Sequence, residues 1–341
     1  MGQKQNPQVG VIADSTLQRH AVCKAIEAAG YGVALTLPPD KVDDQVINDS
    51  KTDVWLVDIE DEDKWSDFIV HLFEAAKVPI LLGEGHAPSL NSLQFQRWGR
   101  KIFDKLQEIV GDPVRPPLDL TTLIAPKADP LPLPPQLEGK QHTGEPASYI
   151  WVLGASLGGP NAVKEFLDAL PAGLPIAFLI AQHIDAGFED TLTKVWGKNS
   201  AFSFVKPEMG NRLSHGQIMI APLEQVMCLN RNAEVMLFDE PWEGPYAPSI
   251  DQAMSLMADN LGQQTGAILF SGMGSDGAIA AVKLKDMNIP VWAQTAATCA
   301  NSSMPDSARA TGCVSFSGSP VQLAQQLTRH AAEHFVDILN I

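Results

Sequence analysis

Two α/β domains, each a parallel sheet wrapped by helices, are what this chain of 341 residues predicts. Strand-like and helix-like segments alternate along both halves, the pattern of a parallel sheet with helical crossovers. The strand candidates of the second half are continuous apolar runs, as a doubly wound sheet covered on both faces requires. Between them, residues 113–146 hold nine prolines. That density blocks helix hydrogen bonding and ladder pairing and reads as an extended linker, partly polyproline II. The expected division is therefore 1–112, 113–146 and 147–341.

In the first half, QVGVIAD (8–14) reads as a strand and residues 17–31 as an amphipathic helix. GVALTL (32–37), DVWLVDI (53–59) and VPILLG (78–83) supply three more strands, with a helical stretch at 64–77 between the last two. After Gly83 the pattern turns helical through residue 110, and no fifth strand is evident. In the second half, YIWVLG (149–154) and IAFLIAQH (176–183) are strands, each followed by a helical segment. Four short β candidates come next, at 202–207, 217–222, 226–230 and 234–239. A helix at 248–262, a strand at 266–272, a helix at 276–287, a strand at 289–294 and a closing helix at 321–339 complete the pattern.

Lys plus Arg total 24 and Asp plus Glu 40, for a formal net charge of −16. A nucleic-acid binder needs clustered cations to neutralise phosphates, and an anionic membrane surface would repel this chain. Four cysteines without a Cys-x-x-Cys pair or a neighbouring histidine cluster argue against zinc or a disulfide framework. No signal-like or membrane-spanning apolar run is present, so a cytoplasmic protein without direct membrane insertion is expected.

Ligands of open parallel sheets gather beyond the carboxyl ends of the strands. Three such ends carry chemistry. The first is Gly154-Ala155-Ser156-Leu157-Gly158. It has the Gly-x-Ser-x-Gly spacing of a nucleophile elbow, in which small residues allow the sharp strand-to-helix turn that presents a serine. The second is His183, closing an apolar strand, a residue type suited to proton transfer. The third is Ser271-Gly272-Met273-Gly274-Ser275-Asp276-Gly277, where Asp276 could orient an imidazole. Gly272, Gly274 and Gly277 also fit a dinucleotide-binding spacing, but no acidic residue closes the next strand. Each residue alone has a bland reading, as turn serine, core histidine or N-cap aspartate. Together they form a Ser–His–Asp set at neighbouring strand ends.

These segments, with IAP at 220–222, PSID at 248–251, AQ at 293–294 and MP at 304–305, occur in one order across about 180 residues. In that order the second half resembles the catalytic domain of chemotaxis receptor methylesterases of the CheB type. The resemblance implies hydrolysis of γ-glutamyl methyl esters on chemoreceptor cytoplasmic helices, with glutamine deamidation in some members. It casts Ser156 as nucleophile, His183 as base, Asp276 as orienter and the Met273 N–H as part of the oxyanion hole. No metal or organic cofactor is implied. The implied partners are a methyl-accepting chemoreceptor cytoplasmic domain and a chemosensory histidine kinase. Two departures touch substrate affinity: Leu157 stands where Thr is usual, and Ala247 where Arg is usual.

The same family carries an N-terminal receiver domain of flavodoxin-like fold, and the first half resembles a degenerate one. Asp58 is the candidate phosphoacceptor, yet Ala13 replaces an acid of the Mg²⁺ cluster, Gly83 replaces the usual Ser or Thr, and no Lys-Pro pair follows. Two rivals stand beside the esterase reading. One is a non-catalytic signalling adaptor, the other a different small-ester hydrolase using His330 or His334.

Overall fold

In a computed structural model, the structure describes residues 6–83, 85–88, 93–113, 130–138, 144–184, 189–198, 200–244 and 246–338. The chain separates into two compact units, Met1–Pro116 and Pro117–Ile341. Most of the proline-rich linker, at 114–129 and 139–143, lies outside the described residues.

The first unit is built from β1 (Gln8–Ile12), α1 (Thr16–Ala28), β2 (Gly32–Leu37), α2 (Asp44–Asp49), β3 (Val54–Val57), α3 (Ser66–Ala75), β4 (Ile80–Leu82) and α4 (Leu93–Val110). Its sheet runs β2-β1-β3-β4, with all pairings parallel. Ser15 starts α1 by accepting a hydrogen bond from Gln18 N, one of the donors a helix cannot satisfy itself. Ile12, Trp55, Val57 and Leu72 form part of the core on one face of the sheet. After β4 the described chain goes to α4, which leaves a four-stranded, receiver-like sheet.

The second unit contains β5 (Ile150–Ala155), α5 (Gly159–Ala169), β6 (Ala177–Gln182), α6 (Glu189–Gly197), β7 (Ser203–Phe204), β8 (Gln217–Ile220), β9 (Val226–Leu229), β10 (Val235–Phe238), α7 (Ile250–Leu261), β11 (Thr265–Leu269), α8 (Ala278–Asp286), β12 (Val291–Gln294), α9 (Ser303–Ala310), β13 (Phe316–Gly318) and α10 (Pro320–Ile338). Seven strands form one parallel sheet in the order β13-β12-β11-β5-β6-β8-β7. Successive residues of β5 feed opposite faces: Ile150 and Val152 join the core that includes α7 and α8, while Trp151 and Leu153 join the one that includes α5 and α10. Both faces are buried, which is why the strands read as unbroken apolar runs. Of the four short β candidates, two become β8 and the edge strand β7, whereas β9 and β10 pair antiparallel as a separate hairpin.

Two sequence expectations are modified. The described end of the linker is no free spacer: Leu131 N donates to Ala169 O at 2.9 Å, and Leu137 is buried in the second unit's core. Alternating Leu and Pro at 130–137 let an extended segment anchor its leucines while its prolines need no ladder partner. His330 and His334, the histidines of the rival hydrolase, pack at the other end of β5 from Ser156. The His330 ring sits edge-on against Trp151 and Trp292, and its Nε2 is 3.3 Å from Tyr149 Oη. Tyr149 and Ser156 are seven residues apart along an extended strand, or roughly 20 Å, so Ser156, the nucleophile of that rival, is out of reach of these histidines.

Burial, with His334 nearby, pushes the His330 imidazole down to about 4 from 6.5. The unfolded chain therefore takes up this proton first as acid is added. Stability is full above about pH 6.5 and falls as pH drops from there toward 4. Thermal melts between pH 7.5 and 4.5 should show that loss, and His330→Gln should flatten it. An equal slope in the variant would assign the acid sensitivity elsewhere.

Candidate active site

β5 is the strand about which the winding reverses. From β5 the chain steps to β6 and β8 on one side, then crosses over to β11, β12 and β13 on the other. The crevice beyond the carboxyl ends of β5 and β11 is thus the switch point where such sheets bind ligands. The Ser156 turn leaves β5, the 271–277 loop leaves β11, and His183 follows β6 next door. The three residues singled out by sequence converge on that crevice.

Ser156 sits in a turn closed by Gly159 N to Ser156 O at 2.9 Å. Gly158 adopts φ +75°, and a Cβ there would stand 2.4 Å from Ala300 Cβ, so only glycine fits. Ser156 N donates to Ser271 O at 3.0 Å, which ties the β5 turn to the β11 loop. The serine is 7% exposed. Among the described residues its hydroxyl makes no hydrogen bond, and neither the Leu157 nor the Met273 backbone N–H donates one. Two unused donors therefore flank a serine at a strand end, the arrangement an oxyanion requires.

His183 has a side chain only 1% exposed, and its Nε2 lies 3.0 Å from Asp276 Oδ2. Asp276 also accepts from Ile250 N at 2.7 Å, Asp251 N at 2.9 Å and Gly277 N at 3.1 Å. Two of these donors are the first N–H groups of α7, where the helix dipole favours negative charge. Surrounded by donors, the carboxylate is an acceptor, so the imidazole must carry its proton on Nε2. Nδ1 is then the basic nitrogen, and it is buried without a hydrogen-bond partner among the described residues.

Sequence reasoning left several neighbours without a role. Asp251, in the PSID segment, reciprocates Asp276: its Oδ1 accepts from Ala280 N at 2.7 Å in the first turn of α8. Each aspartate thus satisfies the other helix's N-terminus. The Gln182 amide donates to Ser156 O and His183 O, both at 3.0 Å, bracing two of the three site residues. Tyr246 stacks on the His183 ring. Spacing could not have found Tyr246, which is 63 residues from the histidine in a loop without periodicity. The GF pair after His183 lies outside the described residues.

In the first unit Asp58 follows β3 at the ligand edge but is 0% exposed. Its Oδ2 accepts from Gln18 Nε2 at 2.5 Å and its Oδ1 from Gly85 N at 2.8 Å. Gln18 Oε1 in turn accepts from Ala87 N at 3.2 Å. A Cβ on Gly83 would lie 2.1 Å from Asp58 Oδ1, so the carboxylate is walled in on that side too. Asp14 accepts instead from Glu60 N and Asp61 N, both at 3.3 Å. This donor set does not fit a hydrated divalent cation: one acid is sealed under an amide, the other is engaged by backbone, and Ala13 offers nothing. From these contacts we propose that Asp58 serves as a structural anchor in place of the phosphoacceptor expected from sequence. Acetyl phosphate or beryllofluoride should leave the protein's mass, melting midpoint and activity unchanged. Asp58→Ala should cost about 1–3 kcal/mol by orphaning buried donors, read as a lower midpoint for the first unit. A stable phosphoryl adduct on Asp58 would overturn this.

Among the described residues no helix is long and apolar enough to cross a membrane. The family model for CheB methylesterase matches residues 151–327. A protein-glutamate methylesterase/protein-glutamine glutaminase of Hahella chejuensis is 31% identical over 194 residues, 57% of this chain and 55% of that protein. One of Methylobacillus flagellatus is 28% identical over 331 residues, 90% of this chain and 92% of its own. The chain covers about half the length of the first relatives it matches, 55%, 42% and 47%. The crystal structure of the Thermotoga maritima CheB methylesterase catalytic domain is similar over 53% of this chain and 98% of its own, with TM-score 0.51 and 26% identity.

Proposed function

The chain belongs to the CheB methylesterase family, and from that premise we propose that it is a serine esterase removing methyl groups from γ-glutamyl methyl esters of a chemoreceptor's cytoplasmic helices. The observation that carries this reading is the convergence at the switch point. A serine and an imidazole Nδ1 that make no hydrogen bond among the described residues, and a carboxylate bonded to Nε2, stand at neighbouring strand ends.

Ser156 Oγ attacks the ester carbonyl carbon as His183 Nδ1 takes its proton. Asp276 stabilises the resulting imidazolium through Nε2–H. The Met273 N–H, joined by that of Leu157, donates to the oxyanion. Collapse of the tetrahedral species breaks the C–OCH₃ bond, and His183 returns the proton to the departing methoxide, giving methanol and a glutamyl-serine ester. Water then attacks with His183 again as base, releasing a free glutamate and restoring Ser156. The second activity in the relatives' names, glutaminase, would use the same steps with ammonia leaving in place of methanol.

The test is methanol release from a methylated chemoreceptor cytoplasmic fragment, with wild type and Ser156→Ala in parallel. Release by the wild type alone supports the esterase. Binding of the fragment without release by either would favour the adaptor reading.

A further inference from the structure

Tyr246 lies over the His183 imidazole with ring centroids 4.6 Å apart and planes inclined by only 10°. Its loop is fixed at two points. Trp242 is buried and donates from Nε1 to Pro222 O at 2.7 Å, and Glu243 N donates to Gln252 Oε1 at 2.8 Å. Three residues after Tyr246, Ser249 caps α7, whose first N–H groups hold Asp276. The segment 246–251 therefore grips the imidazole from its face and the carboxylate from its far side. Asp276 constrains only one ring nitrogen, and a single hydrogen bond leaves the ring free to rock about it. A parallel aromatic plane removes that freedom.

We propose that Tyr246 is a positioning residue for the catalytic base. It fixes the plane of the His183 ring so that Nδ1 faces Ser156, keeps water off the Asp276–His183 hydrogen bond, and offers its π-face to the imidazolium formed during acyl transfer. The role lies in the ring and not in the hydroxyl. This inference rests on the reading of His183 as base.

Two measurements test it. In the full chain with methylated receptor fragment, Tyr246→Leu should lower kcat by about 10–100-fold, the scale of a misplaced reacting group, with KM changed less than about threefold. Tyr246→Phe should stay within about threefold of wild type. Separately, NMR of histidine-labelled protein should show the His183 ring protons shifted upfield by the stacked ring, retained in Tyr246→Phe and lost in Tyr246→Leu. His183→Gln assigns the signals, and melting midpoints establish that each variant is folded. Unchanged kcat in Tyr246→Leu, an equal loss in Tyr246→Phe, or His183 shifts indifferent to the substitution would each overturn the proposal. The NMR arm needs no turnover, so an inert wild type would refute the esterase while the stack is still judged by itself.

Discussion

Ser156→Ala is expected to reduce ester hydrolysis by roughly 10⁶-fold, the loss seen when a triad nucleophile is removed, while stability moves by no more than about 0.5 kcal/mol. The second half of that expectation follows from local contacts. Among the described residues the Ser156 hydroxyl has no hydrogen-bond partner, so its removal orphans none of them. What holds the turn is backbone: Ser156 N to Ser271 O, and Gly159 N to Ser156 O. Alanine keeps the Cβ that abuts Gly272 and adopts the same backbone angles. Rate and stability should therefore separate cleanly, with methanol release lost and the urea midpoint retained. A residual rate within about 100-fold of wild type would mean that Ser156 is no nucleophile and that water is activated directly by His183.

Much of this site was legible because a parallel α/β sheet makes a one-dimensional signal of a three-dimensional place. A strand buried on both faces is an apolar run, and the first polar residue after it stands at the ligand edge. Ser156, with its Gly-x-Ser-x-Gly spacing, and His183 follow that rule directly; Asp276 lies five residues beyond Ser271 in its loop, and the family resemblance assigned all three their roles. Strand order was not legible, since unbroken apolar runs look alike whatever their neighbours. Only pairing revealed that β5 adjoins both β6 and β11 and that the 271–277 loop therefore reaches the serine. Tyr246 and Gln182 escaped for a related reason: their roles depend on partners brought near by the sheet, not on spacing. The reading of Asp58 shows the converse. Its place at the end of β3 was legible, but the Gln18 amide that seals it comes from the facing side of α1. Helical periodicity gave that glutamine no apolar reason to point inward. The linker misled because proline density marks extended backbone, and extended backbone can dock as readily as it can span.

Asp276→Asn is expected to cost about 10⁴-fold in rate, the effect known for the equivalent exchange in serine proteases, and unlike Ser156→Ala it should also lower stability by about 1–3 kcal/mol. An amide has one oxygen and one nitrogen where the carboxylate has two oxygens, and His183 Nε2, Ile250 N, Asp251 N and Gly277 N all donate to Asp276. If the amide oxygen faces His183 and Ile250 N, the NH₂ is forced against Asp251 N and Gly277 N, and two helix-start donors lose their acceptor. If the NH₂ faces His183 instead, it donates to Nε2 and drives the proton onto Nδ1, the atom that must receive the serine's proton. The first orientation costs stability and the second costs catalysis, so no placement of the amide spares both. Asp251→Ala separates orienting from capping, because Asp251 holds Ala280 N without touching the imidazole. It should lose comparable stability in urea yet retain kcat within about tenfold. Were the two variants to lose rate equally, Asp276 would be acting as a helix cap alone, and the orientation of His183 would rest on its stacked tyrosine.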